Sequence, residues 1–153
     1  MNALDNRIPP PFMTLIVGAA MWALTFVAPP YAFGGAFRVI LVAAFLVAGG
    51  LFAFPAFMAF RRAKTTIDPV HIDRPTAVVS SGVYGFTRNP MYVGLTCLLL
   101  SWAMFLSVPW CLIGPLFFVA YITRFQILPE ERAMQAKFGA EYSAYRSRVR
   151  RWI

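Results

Sequence analysis

Charged residues are scarce in this chain, and acidic ones are the scarcest. Only 13% of the 153 residues are charged, six are Asp or Glu, and a single residue is histidine. A soluble domain carries about 25% charged residues. A soluble fold of this size could not hide from water the 59% of residues that are hydrophobic. We therefore expect lipid to solvate part of the molecule.

The shortage of cysteine and histidine excludes two further classes. Cys97 and Cys111 lie in apolar runs, so we expect two small buried thiols on neighbouring helices and no disulfide. His71 has no second histidine or cysteine near it, and we predict no metal site. The first apolar run begins near Phe12 without a basic leader region, which predicts no cleavable signal peptide.

Long apolar runs dominate what is present. A helix needs about 20 apolar residues to cross a bilayer. The sequence predicts one all-α membrane domain over residues 1–153, with four transmembrane helices and a C-terminal amphipathic interfacial helix. The predicted spans are residues 12–28, 36–60, 92–106 and 110–127, with a polar loop at 61–90 and a polar tail at 129–153.

The basic residues indicate an orientation. Five of the 14 lie in residues 61–90, seven lie in residues 124–153, and none lies in residues 91–123. The positive-inside rule places both basic segments in the cytosol, with both termini inside, as for a bacterial inner-membrane protein. The net charge of +8 then indicates contact with anionic membrane lipid. We expect no nucleic-acid partner, because a binder of that kind would be far less apolar.

The tail carries an amphipathic pattern. Its apolar residues recur at steps of three and four, as on one face of a helix that lies on the membrane surface. The stripe consists of Met134, Phe138, Tyr142, Tyr145, Val149 and Trp152.

A second polar stretch, residues 80–94, precedes the third span. Gly82 suits a turn with positive φ, and Pro90 suits the first turn of a helix with Asn89 as its N-cap. Tyr84 and Arg88 would share a face with Tyr92 if the helix extended back through them. Free backbone N–H groups at this helix start would suit a ligand carboxylate or hydroxyl.

The two polar stretches together resemble a known family. Gly82-Val-Tyr84, then Arg88-Asn89-Pro90-Met-Tyr92-Val-Gly94, is followed by a second motif after the hairpin. That ordered pair resembles the isoprenylcysteine carboxyl methyltransferase family, one of the phospholipid-methyltransferase-like membrane enzymes, over about residues 65–153. The second motif comprises Glu130-Glu131, Phe138-Gly139, Tyr142, Tyr145 and Arg151-Trp152.

The resemblance implies an S-adenosylmethionine-dependent methyltransferase, with the cofactor held between the loop before the hairpin and the segment after it. As catalytic residues it implies Glu130, Arg124 and Arg88. Arg124 is the nearest basic residue to the position, here Gln126, at which eukaryotic members hold the substrate carboxylate. Carried over by position, the cofactor-binding residues are Thr76, Ala77, Val78, Val79, Tyr84, Asn89, Pro90, Met91, Tyr92, Glu130 and Glu131.

The chemistry of the residues is compatible with that reading. No G-x-G element follows a strand pattern, as soluble nucleotide-binding enzymes would show. Methyl transfer is an in-line displacement that needs positioning and a dry site. A carboxylate acceptor needs no base, whereas an amine or thiol acceptor must lose a proton, which Glu130 or Glu131 would take.

The acceptor stays open at this point. Eukaryotic members have His where Asn89 stands and Pro near Arg150, so this chain departs from the prenylcysteine pattern. The leading hypothesis is a lipophilic acceptor, either a prenylcysteine-like carboxylate or another lipid-like small molecule. The alternatives are a phospholipid N-methyltransferase, a non-catalytic membrane scaffold, and a sterol-reductase-like enzyme that would bind NADPH.

Overall fold

The computed structural model describes residue 5 and residues 7–30, 35–62 and 78–153. Within those ranges the chain is helical and contains no β-strand, which confirms the all-α prediction. Short 3₁₀ turns at Gly82–Gly85 and Pro109–Leu112 and a π-helical turn at Thr123–Ile127 connect the helices. The helices are α1 (Pro10–Leu24), α2 (Gly35–Arg62), α3 (Pro90–Leu106), α4 (Ile113–Ile122) and α5 (Leu128–Arg148).

Two of these helical segments are long and apolar enough to cross a membrane. In the described residues they are Gly35–Ala59 and the continuous segment Pro109–Arg148. Helices α1 and α3 have 15 and 17 residues, short of the roughly 20 that a span requires. The four-span topology therefore stays a prediction. Apolar side chains on the outer surface, such as Leu15, Val39 and Leu116, are more than 60% exposed, which fits contact with lipid.

The helix boundaries differ from the predicted spans at two places. Helix α1 begins at Pro10, since proline suits the first helical turn, and it ends at Leu24 rather than near residue 28. No loop separates the predicted fourth span from the tail, because helical turns run without a break from Pro109 into α5. Pro129 lacks the N–H that an ordinary α-turn would use, and the π-helical turn lies directly before it.

Helices α1, α3 and α4 enclose the core. The indole nitrogen Nε1 of Trp102 donates to the carbonyl of Gly18 over 3.1 Å, which joins α3 to α1. A Cβ added at Gly114 would lie 2.5 Å from the sulfur of Met21, so α4 approaches α1 closely. The buried residues of this core include Met13, Val17, Met21, Leu99, Ala103, Cys111, Phe118, Ile122 and Ile127.

Helices α2 and α3 pack backbone to backbone. A Cβ added at Gly94 would lie 2.8 Å from the Cβ of Ala53 and 3.0 Å from the carbonyl oxygen of Gly49. Small residues let two membrane helices approach in this way. Because α3 begins beside the polar loop, this contact fixes the place of its N-terminus relative to α2.

The predicted stripe on the tail is not one continuous lipid-facing surface. Gly139 has φ +49° and interrupts α5, a conformation that costs glycine little. Tyr142 and Tyr145 are buried inside the protein, and the indole N–H of Trp152 donates to Oγ1 of Thr123 over 3.2 Å. Part of the aromatic stripe therefore packs against the protein's own helices.

The Gly94 contact is testable. Gly94→Ala should destabilise the protein by about 1–3 kcal/mol, the usual cost of overpacking a tight interface, because the nearest atoms are backbone and Cβ atoms that cannot rotate away. Thermal unfolding in a mild detergent measures this change. The matched control is Gly50→Ala, where an added Cβ meets nothing within 4 Å; equal melting temperatures of the two variants would contradict the prediction.

Candidate functional site

Two helix starts meet at one end of the molecule. The phenol of Tyr92, in the first turn of α3, donates to Oε1 of Glu130 over 2.7 Å. Glu130 lies in the first turn of α5. The loop before the hairpin and the segment after it are therefore brought together, as the ordered motifs predict.

A second neutral donor holds the same carboxylate oxygen. Nε2 of Gln126 donates to Oε1 of Glu130 over 2.7 Å, across one turn of the chain. Gln126 is 2% exposed and belongs to the π-helical turn Thr123–Ile127. Such turns are frequent at functional sites. The sequence offered one hint to this role, since Gln126 occupies the position of the substrate-binding arginine in the resembling family.

Glu130 is a partly buried acid whose charge is not balanced by a neighbouring cation. Among the residues that the structure describes, no basic side chain forms an ion pair with it. The apolar part of the Pro109–Arg148 segment ends near Ile127, so Glu130 lies outside the part that is apolar enough to cross a membrane. Burial raises its pKa to about 7, and the hydrogen bonds from Gln126 and Tyr92 oppose part of that rise.

Glu131 has the opposite environment. Arg151 binds it with two hydrogen bonds, from Nε to Oε1 at 2.9 Å and from Nη2 to Oε2 at 2.8 Å. Nη2 of Arg88 lies 3.1 Å from Oε1 of the same carboxylate. Burial alone would raise the pKa of Glu131, but the hydrogen bond from Arg151 and the charge of Arg88 bring it below the ordinary value. The carboxylate is therefore ionised, and it joins α5 to the loop and to the C-terminal tail.

The tail also holds the start of α3, through contacts that we call the C-terminal clasp. The amide Nδ2 of Asn89 donates to the carbonyl of Arg151 at 2.9 Å, and Oγ1 of Thr87 donates to the same carbonyl at 3.2 Å. The backbone N–H of Arg88 donates to the carbonyl of Arg150 at 2.9 Å. Asn89 does occupy the N-cap position of α3, but its side chain forms no capping hydrogen bond, because it binds the tail instead.

The helix does not extend back through Arg88 and Tyr84, so the condition under which they would share a face with Tyr92 is not met. Tyr84 lies in the Gly82–Gly85 turn, and α3 begins only at Pro90, because a proline disfavours helical geometry in the residue before it. Tyr84 still lies at the site: it is buried, and the phenol of Tyr145 donates to its carbonyl at 2.8 Å. Burial, together with the charges of Tyr145 and Glu130, raises the pKa of Tyr84.

A groove of about 680 Å³ opens between α2 and the chain that leads into the Gly82–Gly85 turn; Tyr92 and Glu130 do not line it. Val78 and Val79, two of the predicted cofactor-binding residues, line it together with Pro55 and Met58 of α2. Its volume lies in the range of about 300–1,000 Å³ that is usual for ligand pockets. Gly82, with φ +63°, forms the turn beside it, as predicted.

The remaining residues that the family resemblance assigned to the site are Thr76, Ala77, Pro90, Met91 and Arg124. Thr76 and Ala77 lie outside the described residues. Pro90 and Met91 begin α3, as predicted. Arg124 is directed towards Asp5, with Nη1 3.8 Å from Oδ1, and its side chain is 47% exposed. Its role with the acceptor stays a prediction.

The comparisons with known proteins agree with this arrangement. The family model for phospholipid methyltransferases matches residues 37–141. A protein of Haemophilus influenzae described as uncharacterized is 40% identical over 63 residues, which is 41% of this chain and all of that relative. No solved structure matches.

The matched region contains nearly all of α2, the whole of α3 and α4, and the first two thirds of α5, and with them the acidic pair Glu130 and Glu131. The shared segment therefore includes both helix starts that form the site. The chain belongs to the phospholipid methyltransferase family.

Proposed function

We propose that this protein is an integral membrane S-adenosylmethionine-dependent methyltransferase that acts on a lipophilic acceptor at the cytosolic membrane surface. The observation that carries the proposal is the Glu130 carboxylate, which two neutral side chains orient and no described basic group neutralises. A buried charge of this kind is costly unless a partner arrives. A cationic ligand supplies that partner.

The cofactor fits the residues present. S-adenosylmethionine supplies an electrophilic methyl group on a positively charged sulfur, and it also carries an ammonium group. Glu130 would bind one of these positive charges, with Tyr92 and Gln126 fixing the carboxylate. Val78 and Val79 line the groove beside α2, where backbone groups would contact the nucleoside.

The groove also supports a lipophilic acceptor. Phe54, Pro55 and Met58 belong to the wall that α2 contributes, and Phe54 is 65% exposed. Because α2 is one of the two described segments long enough to span a membrane, an apolar chain would enter sideways from lipid. Exclusion of water there would favour a displacement that needs little beyond alignment of the reacting atoms.

The acceptor atom could be a carboxylate oxygen or an amine nitrogen, and the charge of Glu130 distinguishes the two. A prenylcysteine-like carboxylate would meet the Glu130 carboxylate as a like charge, whereas a lipid amine would be attracted to it. Burial raises the pKa of Glu130 to about 7, which suits a group that accepts a proton from an amine near neutral pH. Phospholipid N-methylation is therefore the second candidate, and the family match favours it over reduction with NADPH.

The proposed binding of S-adenosylmethionine through Glu130 can be tested directly. Full-length protein in detergent should bind S-adenosylmethionine by calorimetry, and Glu130→Ala should weaken binding at least about tenfold, the effect of losing one charge-assisted contact. Glu141→Ala is the matched control, because Glu141 is an exposed acid on the same helix. No binding at millimolar cofactor would overturn the proposal, and salt-sensitive binding to anionic liposomes by such a protein would favour the scaffold alternative.

The acceptor class can be read from the product. Membranes that contain the protein, supplied with a cofactor carrying a radioactive methyl group, should yield labelled lipid. Mild base releases volatile label from a methyl ester but leaves an N-methyl group in place. Lipid mass spectrometry then identifies the acceptor, and label that appears equally with Glu130→Ala would contradict the assignment.

Binding should depend on pH. The positively charged ligand needs the ionised Glu130, so affinity should rise with pH and level off above about 7. Between pH 8 and pH 6 the affinity should fall by about tenfold, as one proton competes with the ligand. Glu130→Gln should bind weakly and lose this part of the pH dependence; a wild-type profile in that variant would contradict the role of Glu130.

The stability of the ligand-free protein should change in the opposite sense. The pKa of Glu130 is about 7 in the folded state and has the ordinary value of 4.5 in the unfolded state. Between these two pH values, Glu130 carries more of its proton in the folded state. Stability should therefore fall as pH rises through that interval. Melting temperatures of the wild type minus those of Glu130→Gln isolate this contribution from the other acids.

A further inference from the structure

Arg88 carries hydrogen-bonding capacity that the described protein does not use. Its side chain is 8% exposed, and only Nη2 pairs with Glu131. Nε and Nη1 are buried and have no hydrogen-bond partner in the described structure. Arginine cannot relieve such a situation by losing its proton, because a guanidinium group stays protonated in proteins. A buried cation with unpaired N–H groups is costly.

The local charges are also unequal. Arg88 and Arg151 share the single negative charge of Glu131, so this cluster has one positive charge in excess. Glu130, the next residue along the chain, is held by Tyr92 and Gln126 instead. Within the described residues, the excess at Arg88 is not neutralised by a second carboxylate.

The guanidinium is preorganised. The C-terminal clasp fixes the backbone of Arg88 through Arg150, and Glu131 fixes one end of the side chain. Tyr142 lies beside it. Burial raises the pKa of the Tyr142 phenol and the charge of Glu131 raises it further, whereas the charge of Arg88 and a side-chain hydrogen bond with Arg88 lower it. An arginine held this rigidly, with donors left over, has the form of a binding group.

We propose that Arg88 is an oxyanion-binding residue whose unused Nε–H and Nη1–H groups receive a carboxylate or phosphate oxygen of a bound ligand. The site then has two complementary halves, with Glu130 for a positive group and Arg88 for a negative one. That the ligand takes part in methyl transfer rests on the proposed function, whereas binding of an oxyanion does not.

Two sources supply such an oxyanion. One is the α-carboxylate of the methyl donor, and the other is the phosphate or carboxylate head group of the lipid acceptor. Both sources present an anionic oxygen to Arg88. The test therefore uses one pair of probes for each source and measures both pairs with the same variants.

The test uses full-length protein in a non-ionic detergent, with Arg88→Lys as the principal variant. Lysine keeps the charge that faces Glu131 but loses the additional donors. Arg88→Gln serves if the lysine variant does not fold, as judged by circular dichroism and gel filtration. Arg148→Lys is the matched control, because Arg148 is exposed on α5.

The first probe pair is S-adenosylmethionine and its decarboxylated analogue, compared by calorimetry. If the donor carboxylate binds Arg88, the wild type should prefer the complete molecule by about tenfold or more, the effect of a charge-assisted hydrogen bond. Arg88→Lys should lose most of this preference, and Arg148→Lys should keep it.

The second probe pair is dodecyl phosphate and dodecanol, compared by thermal stabilisation. If the acceptor head group binds Arg88, dodecyl phosphate should stabilise the wild type and Arg148→Lys, but not Arg88→Lys, and dodecanol should not distinguish them. A dependence on Arg88 with either probe pair supports the proposal and names the source.

Failure of both probe pairs to depend on Arg88 overturns the proposal, even if the donor binds through Glu130. The reverse outcome is equally informative: a protein that does not bind the donor but recognises dodecyl phosphate through Arg88 retains the oxyanion site and loses the proposed methyl transfer. The two conclusions are therefore separable in a single set of experiments.

Discussion

The ion pairs of Glu131 are the interaction on which the rest of the site depends. This one carboxylate joins α5 to Arg88 in the loop before α3 and to Arg151 in the tail. Its neighbour Glu130 is thereby placed against Tyr92 without being neutralised. The two adjacent glutamates thus have different environments, because Glu131 is surrounded by arginines and Glu130 by neutral hydrogen-bond donors.

The sequence was sufficient to predict the features that depend only on local backbone geometry. Gly82 adopts positive φ and Pro90 begins a helix, since backbone geometry alone decides both. The two motifs also predicted that the loop before the hairpin and the segment after it would meet, because a short helical hairpin returns the chain to the end from which it started.

Features that depend on distant partners could not be predicted in the same way. The side chain of Asn89 binds the tail rather than its own helix, which requires residue 151 to return to residue 89. The π-helical turn that aims Gln126 at Glu130 has no clear sequence pattern apart from Pro129. The start of α3 has a local reason, however. Pro90 disfavours helical geometry at Asn89, so the helix does not extend back through Arg88 and Tyr84.

The unbroken helical path from Pro109 to Glu130 has a mechanical consequence. With no linker between the apolar turns and Glu130, the acid cannot shift independently of the segment that carries it. A helix adapts to bilayer thickness by tilting. Any tilt of this segment would displace the Glu130 carboxylate relative to the phenol of Tyr92, which donates a hydrogen bond to it. In a membrane-spanning segment, the hydrophobic width of the bilayer would therefore influence how well Glu130 is aligned with Tyr92.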